Sequence, residues 1–446
     1  MIVDLVLNGA KAYIDQEIVD CSLSIDEGRI FKIGKETRMP EADSKIDLGN
    51  LLVLPGLIDA HVHLRDEGKA YKEDFISGTS AAAAGGITTV LDMPNNEPVT
   101  MSRENLKNRM QRAQRSILVN VGFYSEFPNR TEEISEIVEQ GAVAFKLFTA
   151  DQVGGLNIDN DNVLQDAFRV VSGLNIPVAV HAEDRNRLQK SIEGFKRAGR
   201  TDVKAYLAAH SEEVEVQAIN RLLNIAKNAN SHLHVCHVTT ENGLGAIVDA
   251  KKSQTRVTCE TTPHNLFLSS DDLKRIGPTA LTMPPVREKS HIDALWKGIR
   301  TGWIDTLGSD HAPHTLEEKE AESVWDVKVG IPGLETTLPL LLTAVKSGRL
   351  SVSDIVRLMA ERPAEIFGLE GRGSLKEGHS ADLTVVDLKT EFEIDSSRFY
   401  SKAKYSPFDG WKVEGQAVKT FVAGQLIMDE GEIVGKAGYG KVIRGK

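Results

Sequence analysis

Eight short apolar runs, separated by helix-like stretches, constrain the fold of this chain more than any other feature. They are Leu51 to Ile58, Thr88 to Met93, Ile117 to Tyr124, Ala142 to Phe148, Pro177 to His181, His232 to Val238, Arg256 to Glu260 and Trp303 to Ser309. Each is short and continuous, the pattern of a strand buried on both faces. Periodic segments such as Glu213 to Ala229 lie between them. A last helix, Val352 to Glu361, opens on Ser351-Val352-Ser353-Asp354, which has capping-box spacing, and is expected to stop before Pro363. Strands alternating with helices build a parallel sheet with crossovers, and eight such units specify an α/β fold of the (β/α)8 TIM type over residues 51–372. The two ends of the chain are strand-like instead, as in Cys21 to Ile25 closed by Asp26-Glu27-Gly28, and Ala381 to Asp387. A small β-sandwich domain assembled from residues 1–50 and 373–446 is therefore expected beside the barrel.

Charge excludes several classes of partner. With 53 basic against 64 acidic residues the formal net charge is -11, and there is no long basic run, which argues against nucleic acid and against an anionic membrane surface. No apolar run reaches membrane-spanning length, and Met1-Ile2-Val3-Asp4-Leu5-Val6 lacks a basic leader region and a cleavage pattern. Three cysteines, Cys21, Cys236 and Cys259, cannot form a disulfide framework, so a reducing cytoplasm is the expected compartment.

A barrel of this kind carries its active site at the carboxyl ends of its strands, and the histidines can be tested against that rule. In Asp59-Ala60-His61-Val62-His63-Leu64-Arg65 the residues His61, His63 and Arg65 alternate, so on a strand they project the same way. His61 and His63 end the first run, Lys146 lies near the end of the fourth, His181 ends the fifth, His237 closes the sixth and Asp310 follows the eighth. Taken singly, each has a plainer explanation. His181 could be a satisfied core histidine, Asp310 a turn aspartate, and His237 one member of a histidine-rich strand that includes His232 and His234. Cys236 reads as a small buried apolar residue. Lys146 is the least ordinary, because a lysine in the apolar strand Ala144-Phe145-Lys146-Leu147-Phe148 is costly unless its charge is paired or removed. Carbamylation by carbon dioxide would convert its amine into an anionic carboxylate able to bridge two metals. Four histidines and two carboxylate-type groups would then supply a two-metal site, with metals about 3.5 to 4 Å apart, and Arg65 beside it points to an anionic substrate.

These residues, with Asp92-Met93-Pro94-Asn95, Phe145-Lys146, Val180-His181-Ala182-Glu183, Cys236-His237-Val238, Ser309-Asp310-His311-Ala312-Pro313-His314, Gly330-Ile331-Pro332-Gly333-Leu334-Glu335 and Ser406-Pro407-Phe408-Asp409-Gly410, make the chain resemble the amidohydrolase superfamily over nearly its whole length. Within it the chain is similar to the class I, archaeal-type dihydroorotase branch. The resemblance implies two zinc ions per subunit. His61, His63 and Asp310 would hold one, His181 and His237 the other, and carboxylated Lys146 and a hydroxide would bridge them. It further implies that Arg65, Asn95 and His314 grip the substrate carboxylate, that His63 also faces the substrate, that the Pro332-Gly333 backbone lines its ring, and that Asp310 is the general acid and base. The implied substrate is small: N-carbamoyl-L-aspartate, closed to dihydroorotate in pyrimidine biosynthesis. His264 is given no metal role.

Two departures stand out. Arg65-Asp66-Glu67-Gly68 replaces the usual Arg-Asp-Pro-Gly, and many class I members carry an aspartate where this chain has Lys146. An allantoinase or hydantoinase-type cyclic amidase is the nearest alternative, and a metal-free scaffold the more distant one. Arg65 and Asn95 favour a ring that bears a carboxylate, which allantoin and simple hydantoins lack. The Glu- and Lys-rich stretch from Thr315 to Lys328 reads equally as a lid over the mouth or as a solvated surface helix. A homo-oligomer is compatible with the sequence but not specified by it.

Overall fold

The first apolar run serves two sheets rather than one. In the computed structural model, which describes residues 2–445, Leu52–Pro55 pairs with strands of the chain ends, and only Leu57–Val62 enters the barrel. Gly56 stands at the switch, where a Cβ would come within 2.3 Å of Thr88 Oγ1 and 2.8 Å of the Asp382 Cβ. Only a residue without a side chain lets the two sheets approach so closely. Because both halves are buried, the run looks continuous in sequence although it crosses between sheets.

The expected (β/α)8 barrel follows. We number its strands β1 (Leu57–Val62), β2 (Ile87–Asp92), β3 (Asn120–Glu126), β4 (Ala144–Phe148), β5 (Val178–His181), β6 (Leu233–Val235), β7 (Val257–Thr261) and β8 (Thr306–Leu307). They pair in parallel in that order. The seam between β1 and β8 is closed by a Val62–His311 bridge, by the His63 N–H donating to the His311 carbonyl at 2.8 Å, and by the Asp59 carboxylate, which accepts from the Ser309 N–H at 3.1 Å. Period-2 alternation sends Phe123, Phe145, Val180 and Val235 outward into the helix layer, where they meet Leu106, Phe168 and Leu222. Ile58, Ala60, Leu91, Tyr124, Ala144 and Ala179 point inward and form a floor with Phe367. Above that floor the interior turns polar.

The outer helices include Phe75–Ala84, Arg103–Gln114, Asp161–Gly173, Glu212–Ala229, Glu241–Lys252, Lys289–Arg300 and Leu334–Lys346. Asp74, Ser102, Asn160 and Thr240 cap four of them by accepting from first-turn N–H groups. The last helix differs from expectation. Ser351 and Asp354 do form a reciprocal capping box, but the helix does not stop before Pro363. Val352–Val356 passes through a π-helical turn, Arg357–Glu361, into Arg362–Ile366, and Pro363 sits in the first turn of that last piece. There its missing N–H removes no bond that the helix needs.

Nine strands from the chain ends form a single separate sheet: Ile2–Ile14, Glu17–Asp26, Arg29–Gly34, Glu41–Asp47, Leu52–Pro55, Leu383–Glu393, Lys412–Val422, Gln425–Asp429 and Glu432–Ile433. It buries a core of its own, with Leu7, Leu23, Ile25, Val53, Leu383, Val385 and Phe421. The tail then leaves this sheet, and Val442–Ile443 pairs in parallel with β3 of the barrel. Among the described residues no helix is long and apolar enough to cross a membrane.

Candidate active site

At the end of β1 the register against β2 shifts between Asp59 and Val62. Such a bulge re-aims side chains, and here it turns His61 and His63 into the barrel mouth. Their Nε2 atoms lie 3.3 and 3.2 Å from Asp310 Oδ1, and one ligand atom from each of the three residues falls within 4.8 Å of the others. Opposite them, His181 Nδ1 and His237 Nε2 are 3.1 Å apart, and the His237 ring centroid lies 5.3 Å from that of His61. Lys146 is fully buried on β4, with its Nζ 3.2 Å from Cys236 Sγ and 5.0 Å above the Phe148 ring. A thiol is a weak acceptor, so the amine lacks the strong partners a buried ammonium needs. Five of the six candidate ligands, His61, His63, His181, His237 and Asp310, thus line one mouth, and Lys146 is buried on β4 outside that lining.

Outer partners fix the orientation of these rings. Glu260 Oε1 accepts from His61 Nδ1 at 2.7 Å, Glu183 Oε2 accepts from His181 Nε2 at 2.8 Å, and Asn95 Oδ1 accepts from His63 Nδ1 at 2.7 Å. His210 Nδ1 holds the second oxygen of Glu183 at 2.7 Å. Each bond puts the proton on the outer nitrogen and aims a lone pair at the centre, which is the tautomer a metal ligand requires. His237 Nδ1 is buried with no hydrogen-bond partner among the described residues. Burial and then Arg65 push His63 down to about 3, so its ring is a neutral donor of electrons. The convergence of imidazole lone pairs on carboxylate oxygens fits a divalent cation better than it fits a protonated cluster.

A cationic end lies beside this cluster. Arg65 Nε donates to the Pro313 carbonyl at 3.3 Å, and its Nη2 lies 3.2 Å from His314 Nε2. Because a guanidinium only donates, His314 Nε2 must accept, and Nδ1–H then donates to Glu318 Oε2 at 3.1 Å. Lys72 Nζ pairs with Glu318 Oε1 at 2.7 Å. Burial, reinforced by Arg65 and Lys72, pushes His314 down to about 2 and keeps it neutral. The Asn95 carbonyl oxygen is occupied by His63, which leaves its amide NH2 for a ligand.

Arg65, Asn95 and His314 line a cavity of about 250 Å3 together with His61, His63, His181, His237 and Asp310, and with the apolar Phe148, Ala150, Val153, Met283, Ala312 and Val329. Pro332 and Gly333, expected along the ring, are not part of that lining. Gly333 packs against Ser309, donates its N–H to His311 Nδ1 at 3.2 Å and starts the helix Leu334–Lys346. Lys328, Val329 and Gly330 line the cavity in their place. Gly330 permits this because its φ is 134° and a Cβ would lie 2.4 Å from the Ala312 carbonyl oxygen. Thr315 to Lys328 is neither a free lid nor a solvated helix: Leu316–Lys319 is one capped turn, Val324 and Val327 are buried, and Trp325 Nε1 donates to the Arg200 carbonyl at 2.7 Å. His264 is buried in Pro263–Phe267 and does not line the cavity. Glu183, His210 and Glu260 escaped the sequence reading, although Glu183 lies two residues beyond His181 and Glu260 ends a strand run.

Comparison with known proteins agrees with this geometry. The amidohydrolase family model matches residues 52–427. A dihydroorotase of Methanothermobacter thermautotrophicus is 37% identical over 434 residues, covering 97% of this chain and 95% of that protein. An L-hydantoinase of Paenarthrobacter aurescens is 35% identical over 447 residues, covering 99% and 98%. Among solved structures, the L-hydantoinase (dihydropyrimidinase) from Arthrobacter aurescens superposes with a TM-score of 0.96 at 34% identity, covering 99% of this chain and 100% of that one.

Proposed function

The chain belongs to the amidohydrolase family, and we propose that within it the protein works as a dihydroorotase. It interconverts N-carbamoyl-L-aspartate and dihydroorotate, the ring-closing step of pyrimidine biosynthesis, in the cytoplasm. The observation that carries this reading is the guanidinium of Arg65, backed by His314, beside the ligand cluster in one small cavity. A carboxylate on the substrate is the group that matches it.

His61, His63 and Asp310 would hold one zinc ion, His181 and His237 a second, with Lys146 bridging as its carboxylated form. Carboxylation would relieve the poorly partnered amine of Lys146, which is the support the structure lends it. Bound there, two divalent cations supply Lewis acidity toward a carbonyl and make water more acidic. The chain's own residues do the rest. Arg65, held in place by His314, and the Asn95 amide seat the ring carboxylate and so present the ring amide to Asp310. In ring opening Asp310 takes a proton from the attacking water and gives it to the departing ring nitrogen, and in closure the proton moves back. Closure neutralises a carboxylate, releases water and consumes one proton. The apolar wall of Phe148, Val153, Met283 and Val329 sheds water from the reacting face.

That same apolar wall supports a second reading, a hydantoinase-type amidase acting on rings with an apolar substituent. Arg65→Met separates the two. For dihydroorotate the variant should lose roughly 10- to 100-fold in kcat/KM, the worth of a charge-assisted bidentate pair. For an uncharged hydantoin it should lose little. Equal losses on both would contradict the carboxylate-gripping role.

A further inference from the structure

Lys319 is 1% exposed, although lysine is among the residues least often buried. Its Nζ donates to three backbone carbonyls, Gly330 at 2.8 Å, Lys328 at 3.0 Å and Leu281 at 3.3 Å, so all three ammonium protons are used. Two of those carbonyls flank Val329 in the segment that lines the cavity. The same segment is tied again by Gly330 N–H to the Leu281 carbonyl at 2.8 Å and Lys328 N–H to the Glu318 carbonyl at 2.9 Å. Among the described residues, Val329's own N–H and C=O take no hydrogen-bond partner. Val329, pinned through the outer atoms of its two peptide groups, thus offers one backbone donor and one backbone acceptor.

We propose that Lys319 is a positioning residue for substrate recognition: it fixes the Val329 peptide at the cavity wall, where that peptide reads the non-scissile N–H and C=O edge of the substrate ring. This rests on the dihydroorotase reading above, and it specifies how the ring is read once the carboxylate is seated. The adjoining Glu318 holds His314 and Lys72 at the cationic end. One capped turn, Leu316–Lys319, therefore sets both the carboxylate grip and the ring edge, and fixes the distance between them.

The test uses the metal-loaded, full-length enzyme and Lys319→Met, which keeps the apolar stem and removes the three donors. The probes are dihydroorotate and its analogue methylated on the ring nitrogen next to the carboxylate-bearing carbon. Wild type should reject the methylated ring by roughly tenfold or more in kcat/KM, the worth of a peptide hydrogen bond and the space it occupies. In Lys319→Met that ratio should shrink toward one, and KM for dihydroorotate should rise several-fold while bound metal is unchanged. Normal metal content with an unchanged ratio and KM would overturn the proposal. Wild type that fails to turn over dihydroorotate at all would instead overturn the functional reading beneath it. Should Lys319→Met not fold, hydrogen exchange at the Val329 amide of wild type decides: slowing on binding of dihydroorotate supports the recognition edge, and no change overturns it.

Discussion

Arg65, His237 and Asp310 hold backbone φ angles of 62°, 35° and 47°, a region that residues with side chains seldom adopt. All three face the cavity, and such strain collects where side-chain direction matters more than backbone comfort. Substituting Asp310 by asparagine keeps the shape but removes the proton carrier, so turnover should fall by about 10²- to 10⁴-fold, measured as kcat on metal-loaded protein. Glu260→Gln leaves the cavity lining untouched yet withdraws the carboxylate behind His61. Zinc affinity should drop by roughly 10- to 100-fold in a competitive chelator titration, and unchanged affinity would show that His61 is held by packing alone. His61, His63, His181, His237 and Asp310 were legible in the sequence because strand ends and period-2 spacing single them out. Glu260, Glu183 and His210 were not, since an outer partner needs only to reach a ring nitrogen and follows no spacing of its own. Pro332 and Gly333 misled for a related reason. The motif is real, but its conformation puts Lys328, Val329 and Gly330 at the wall and turns Gly333 toward His311.

Secondary-structure elements were easier to find than to delimit. Seven apolar runs map onto single barrel strands, whereas Leu51 to Ile58 is cut at Gly56 because burial on both sides of a sheet-to-sheet crossing leaves no polar signal. Pro363 read as a stop, and a π turn made it a first-turn residue instead. The helix Leu334–Lys346 carries a titration that can be read out. Glu335, in its first turn, accepts from the N–H groups of Tyr400 and Ser401 at 2.7 and 3.2 Å and so ties the chain's late segment to the barrel. Burial lifts its carboxyl from 4.5 to about 7, against the pull of those two bonds. A carboxyl raised on folding binds more protons in the native state, so its contribution to stability is complete below pH 4.5 and is lost as pH rises through about 7. Glu335→Gln removes that dependence. The melting temperature of wild type should fall relative to the variant across this window, and parallel melting curves would show that the carboxyl is not raised.

At the scale of the whole molecule, a parallel barrel supplies rigidity and brings five candidate ligands from four strand ends to one mouth, with Lys146 buried on β4. The end sheet and the tail strand on β3 brace it from outside. Metal should couple to stability by mass action: stripping it with a chelator should lower the melting temperature and abolish turnover, and zinc with bicarbonate should restore both. A site filled at 100 times its dissociation constant contributes about 2.7 kcal/mol. Ring closure consumes a proton, so the equilibrium between N-carbamoyl-L-aspartate and dihydroorotate should shift about tenfold toward the ring for each pH unit lowered.

The most direct measurement is turnover of zinc- and bicarbonate-supplied protein on dihydroorotate, with allantoin and an uncharged hydantoin alongside. Dihydroorotate should be opened, and N-carbamoyl-L-aspartate closed, with a kcat/KM that exceeds those of both uncharged rings. Preference for either uncharged ring, or no turnover of dihydroorotate by protein that has bound its metal, would contradict it.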